Sequence, residues 1–194
     1  MSILLALLIP LIIIVAIVVI ILLIWIGYYN KFVVLLNRIK NSFAQIDVQL
    51  KKRADLVPNL MESVKGYMKH EAGIMREVSE ARKALVGANA SGDINKRVKA
   101  GDALQGALGR LFAVAENYPN LKANENFLQF QNELSAIEDK VAYARQFYND
   151  SILSFDNSVQ TFPGNIFAGQ KFKSQAGKYI QIQESERSVP KVKF

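Results

Sequence analysis

From Ile3 to Ile26 every residue is apolar, Pro10 alone interrupting, and the first charged side chain is Lys31. At about 1.5 Å per residue such a run makes a helix of roughly 36 Å, longer than a hydrocarbon core of about 30 Å, so it can span a bilayer with some tilt. Pro10 falls in the early turns, where a span tolerates a kink. Trp25, Tyr28 and Tyr29 gather where the apolar run gives out, as amphipathic rings do at headgroup level, with Lys31 just beyond. A cleaved signal peptide would need a basic start, a short apolar core and a small-residue cleavage site. Met1 and Ser2 supply no base and the run is too long, so residues 1–29 are expected to be a retained anchor.

Charge gives the expected orientation. Two uncharged residues precede the run, whereas residues 31–53 hold Lys31, Arg38, Lys40, Lys51, Lys52 and Arg53 against Asp47 alone. By the positive-inside rule the chain is a single-pass protein of the cell membrane, its N-terminus outside and its C-terminal domain cytoplasmic. Residues 54–162 carry twelve basic and fourteen acidic side chains, and residues 163–194 six and two. The excess of positive charge thus lies beside the membrane and in the tail, not among stacking aromatics in the middle. Anionic lipid headgroups are the expected partner and nucleic acid is not, the alternative being lysines that are simply solvated and fix topology. With no cysteine there is no disulfide framework, thiolate nucleophile or thioether lipid.

A chain of 194 residues has room for the anchor and one domain. Leu36, Ile39, Phe43, Ile46 and Leu50 step by three and four, one buried stripe of a helix over about 30–54. Only Gly27 separates it from the span. Pro58 then either ends the helix in a turn or kinks it, because proline cannot donate to the carbonyl four residues back. The stripe resumes as Val57, Leu60, Val64, Tyr67, Ile74 or Met75, Val78, Ala81 and Leu85, a second segment over about 57–86. Residues 87–95 read as a loop, with Asp93 the N-cap of a third helix over about 94–117. Gly101, Gly106 and Gly109 on that helix permit close approach of a neighbour at some cost in helicity. A fourth helix, about 121–162, carries an unbroken stripe from Phe127 through Ile137, Tyr148 and Phe155 to Phe162, and Pro163-Gly164-Asn165 stops it. The tail, 163–194, has no helical period. Tyr179 to Gln183 and Lys191 to Phe194 alternate, so it is either disordered or loosely docked, or adds as a short strand to a neighbouring subunit or partner.

Three stretches carry a resemblance: Lys52-Arg53-Ala54-Asp55-Leu56-Val57-Pro58-Asn59-Leu60; Glu116-Asn117-Tyr118-Pro119-Asn120 through Phe127; and Ala144-Arg145-Gln146-Phe147-Tyr148-Asn149 followed by Phe162-Pro163. Together with Tyr29-Asn30 and the closing Val189-Pro190-Lys191-Val192-Lys193-Phe194, they resemble the LemA family over nearly the whole chain. One departure is Phe155-Asp156-Asn157, where a second Tyr-Asn pair would be expected. The resemblance implies a membrane helix followed by a cytoplasmic, up-and-down four-helix bundle, and it favours a turn at Pro58. The expected fold class is therefore all-α: an N-terminal transmembrane helix continuing into a four-helix bundle, with an irregular or extended C-terminal tail. The family brings no agreed activity with it.

No catalytic machinery, metal site or cofactor is expected. The lone histidine, His70, is read as a surface residue beside the stripe. A di-iron bundle would need a second Glu-x-x-His, and the glycines of the third helix lack the Lys-Ser/Thr ending of a phosphate loop. Asn30, Asn59, Asn117, Asn126 and Asn149 read first as residues that cap helices or bond the backbone, and second as parts of an interface. Asn149, Val192 and Phe194 are the candidate assembly residues. The expected function is that of a membrane-anchored scaffold whose bundle forms a homo-oligomer; the alternative is an adaptor presenting bundle or tail to another membrane protein, such as a protease or transporter.

Overall fold

The structure, a computed structural model, describes residues 2–89 and 92–180, with side chains from residue 8 onward. Among the described residues all regular structure is helical. Four long helices are α1 (Ser2–Lys65), α2 (Ala72–Asn89), α3 (Ile94–Ala115) and α5 (Glu125–Gln160); three single turns are α4 (Pro119–Lys122), α6 (Gly164–Phe167) and α7 (Gln170–Lys173). The helices form two compact units. One takes α1 up to Lys40 with Asp150–Lys178, the other Asn41–Asn149 with Tyr179 and Ile180, so α1 and α5 each supply both.

The largest departure from expectation is at Pro58, where α1 neither turns nor ends. Proline removes the N–H that would bond the carbonyl of Ala54, four residues earlier. That carbonyl accepts instead from Arg82 Nε of α2, at 2.7 Å. Pro58 itself is exposed, so its ring meets no neighbouring helix, and Val57 and Leu60 on either side are buried. The helices expected over 30–54 and 57–86 are thus redrawn: α1 runs to Lys65 and the turn falls at residues 66–71. That turn shifts the phase of the apolar stripe, burying Met68 and leaving Tyr67 exposed. His70 lies exposed in the turn and not on a helix. The fourth helix also begins later than expected, at Glu125, where Asn124 Oδ1 accepts from the N–H of Phe127 at 3.1 Å as a cap does. It ends at Gln160, two residues short of Phe162.

In the unit from Asn41, the four long helices run alternately up and down. Glu77 of α2 pairs with Arg110 of α3, while Glu71 just before α2 accepts from Tyr118 Oη just after α3, an antiparallel registration. Asp102 pairs with Arg145, and Phe112 meets Phe127 edge-on, which sets α5 antiparallel to α3. Ile46, Leu50, Val57, Leu60 and Val64 of α1, Leu104, Leu108 and Leu111 of α3, and Leu134 and Val141 of α5 are all buried, so these members of the stripes supply the core. Asp93 caps α3 as expected, accepting from the N–H groups of Asn95 and Lys96, with Gly92 at φ 71° before it. Of the three α3 glycines only Gly101 makes a close approach, where a Cβ would lie 2.6 Å from Leu50 Cδ2 and that buried side chain would have to shift.

Candidate functional site

The apolar run forms the first part of α1, and every residue from Leu8 to Gly27 is exposed. Seventeen large side chains, Leu8 to Ile26 without Pro10 and Ala16, lie 42–63% open. Carrying such half-open side chains from water into hydrocarbon is worth on the order of 20 kcal/mol, more than the roughly 5–15 kcal/mol that holds a domain folded. The helix is long and apolar enough to cross a membrane.

Where the run ends, the rings become a packed cluster. Trp25 stacks on Tyr29 at 5.7 Å between centroids, and the Lys31 ammonium stands 5.7 Å from the centre of the Tyr28 ring. Tyr28 stacks on Phe167 of α6 at 5.5 Å, and Tyr29 meets Phe172 of α7 edge-on at 5.6 Å. Below them Phe32, Phe155, Val159, Ala168 and Phe172 make a small closed core. Gly164 is what lets α6 dock: a Cβ there would lie 2.0 Å from the Ser158 carbonyl oxygen and 3.3 Å from Tyr28 Cε1. The two oxygens of buried Asp156 accept from Gly177 N–H at 3.1 and 3.2 Å, where Gly177 takes φ 75°. Asp156 belongs to the Phe155-Asp156-Asn157 stretch where a second Tyr-Asn pair would be expected, and it fastens the turn that follows α7. Of the four interface residues expected from the sequence, Trp25 pairs with Tyr29 and Lys31 with Tyr28, and α6 and α7 meet Tyr28 and Tyr29; that segment carries no helical period, so the sequence shows it only as tail.

Phe162 is a correction. It closes the apolar stripe in the sequence, but lies beyond the end of α5 and is 79% exposed, as Ile166 is to 66%.

Arg53 is a second correction. Counted above among the basic residues beside the membrane, its side chain is completely buried. Nη1 donates to the Gly101 carbonyl at 3.1 Å and Nη2 to Glu138, while Nε has no hydrogen-bond partner among the described residues. Burial lowers the guanidinium pKa, and Glu138 opposes that. The cation persists because arginine starts so far above neutrality. The signal was present in the sequence, since Leu50, Arg53 and Val57 continue the three-four step. Arg97 of α3 is partly buried, pairs with Asp47 and lies 4.9 Å from the Phe43 ring.

Asn149 binds the backbone of Ile180 in both senses: its Oδ1 accepts from the Ile180 N–H at 3.0 Å and its Nδ2 donates to the Ile180 carbonyl at 3.4 Å. Its amide thus holds the start of the tail against α5. Val192 and Phe194, and the alternation beyond Ile180, lie outside the described residues. Along α1 and α5 of the same unit runs an open groove of about 720 Å³ with Ala44, Val48, Gln49, Ala136, Lys140 and Tyr143 on its walls. Val48 is 52% and Tyr143 68% exposed. Among the described residues no three His, Asp or Glu side chains gather as a metal site would need.

These features define a class: an all-α protein with one helix able to cross a membrane, a ring cluster at the end of the apolar run, and a four-helix bundle. The family model described as the LemA family matches residues 42–194, and the chain belongs to that family. It is 29% identical over 165 residues to "Protein LemA" of Metamycoplasma hominis, covering 84% of this chain and 74% of that one. It is 25% identical over 163 residues to "Magnetosome protein MamQ" of Magnetospirillum gryphiswaldense and to "Magnetosome protein MamQ 2" of Paramagnetospirillum magneticum, in each case 72% of this chain and 60% of the relative. None of these names is that of an enzyme.

Proposed function

We propose that this protein is a non-enzymatic, membrane-anchored scaffold: α1 crosses the cell membrane once, the bundle stands on the cytoplasmic side, and copies of the bundle associate side by side. The observation that carries the reading is α1 itself. Its apolar part is open on every side, while the same unbroken helix goes on to supply Ile46, Leu50, Val57 and Leu60 to the bundle core. One helix is thus both anchor and structural member. The orientation follows from the basic residues after the span. Buried Arg53 adds nothing at the surface, but Lys31, Arg38, Lys40, Lys51 and Lys52 still outnumber Asp47. Of these, Lys31 lies nearest the end of the apolar run and faces anionic headgroups, whereas Lys51 and Lys52, roughly 37 Å past Ile26 along unbroken α1, stand beyond the reach of the surface. Side-by-side association is supported by the α1–α5 groove, whose exposed Val48 and Tyr143 are flanked by Asp139 and Lys140. Charges of both signs at the edge of an apolar strip suit a second copy of the same surface.

The test is the mass of full-length protein extracted in mild detergent, by light scattering with the detergent contribution subtracted. A single large multiple of 21.7 kDa is the expected result. A monomer or dimer overturns the scaffold and leaves the adaptor reading, in which mass is gained only with another membrane protein.

A further inference from the structure

We infer that residues 161–173, with α6 and α7, form a second membrane contact: Phe162 and Ile166 enter the headgroup–acyl boundary beside the span, and Lys171 and Lys173 meet anionic phosphates. The inference rests on the proposal that α1 spans the bilayer. Four observations carry it. Gly164 and Phe167 abut Tyr28, and Phe172 abuts Tyr29, so the segment is pinned to the helix turn just after the apolar run. Tyr28 is two residues past Ile26, roughly 3 Å along the axis, which places those contacts at headgroup depth. Phe162 and Ile166, each within two residues of Gly164, are 79% and 66% exposed. Large apolar side chains so open, at that depth, need an apolar medium, and the bilayer is already there. Finally, no acidic residue occurs from Asn157 to Gln183, whereas Lys171, Lys173 and Lys178 do, so the local charge suits an anionic surface. A second copy of the chain could also cover the two apolar side chains, and the experiment separates the two.

The chain has a single tryptophan, Trp25, which serves as the reference for the span. Full-length protein is reconstituted in vesicles of phosphatidylcholine and phosphatidylglycerol containing lipid brominated near the top of the acyl chain. Wild type reports Trp25; the Trp25→Phe, Phe162→Trp protein reports position 162; and Trp25→Phe, Ile166→Trp reports the same surface should the first variant misfold. A ring about 5–10 Å into the interface should lose roughly half its emission to the quencher. That loss at 162 or 166, and its decrease when Lys171 and Lys173 are changed to Gln, is the expected result. Quenching at Trp25 with none at 162 and 166 overturns the second contact and leaves the span standing. A blue-shifted but unquenched tryptophan at 162 assigns the surface to another protein copy and also overturns it. No quenching at any position, Trp25 included, removes the single-span reading and this inference with it.

Discussion

Arg53 occupies a step of the α1 stripe that would ordinarily hold an apolar side chain, and its burial makes Glu138 more than a surface carboxylate. Removing one partner of a buried pair leaves a charge without compensation, which costs more than the pair contributes. Glu138 keeps 37% of its side chain exposed, so water offsets part of that cost. Glu138→Gln should destabilise the bundle by about 2–4 kcal/mol, measured by urea unfolding of the full chain in detergent. Arg53→Met with Glu138→Leu, which removes both charges and keeps the volume, should lie closer to wild type than the single change. A double variant as unstable as Glu138→Gln would show the pair itself to be required. The Leu50-Arg53-Val57 spacing was legible in the sequence; what could not be read was that a carboxylate four turns into another helix lies within reach.

At the level of the element, α1 persists through Pro58 because its neighbour supplies what proline takes away. The orphaned Ala54 carbonyl sits where Arg82 of α2 can donate to it, and the proline ring faces out. Pro58→Ala restores the intrahelical N–H and should raise stability by about 1–3 kcal/mol, within the full helix-interior penalty of proline. Arg82→Ala should then cost on the order of 1 kcal/mol in the Pro58 chain and much less beside Ala at position 58. A double-mutant cycle in the same unfolding assay reads the coupling; independent effects would refute the substitution of one donor for another. The family resemblance favoured a turn here, and local chemistry left both outcomes open. The turn at residues 66–71 is masked in the sequence because the apolar step carries on through Tyr67, although Gly66 and the run Lys69-His70-Glu71 mark a polar break.

For the whole molecule, orientation is the property most open to direct test. Because the chain lacks cysteine, one introduced thiol reports without background. Lys83→Cys, on an exposed face of α2, should be protected from a membrane-impermeant maleimide in intact cells and labelled after lysis. Labelling in intact cells would invert the topology. The sequence by itself determined that this is an all-α chain with a helix long and apolar enough to cross a membrane and with amphipathic helices, since apolar length and the three-four step are local properties that each segment carries alone. Its family was likewise legible in three local stretches. Tertiary structure alone decided that Pro58 lies within a helix, that Arg53 is internal, that the Asn149 amide holds Ile180, and that residues 164–173, without any period of their own, pack on Tyr28 and Tyr29. Each of these depends on a donor, an acceptor or a ring brought from a distant part of the chain, and no window of sequence contains both partners.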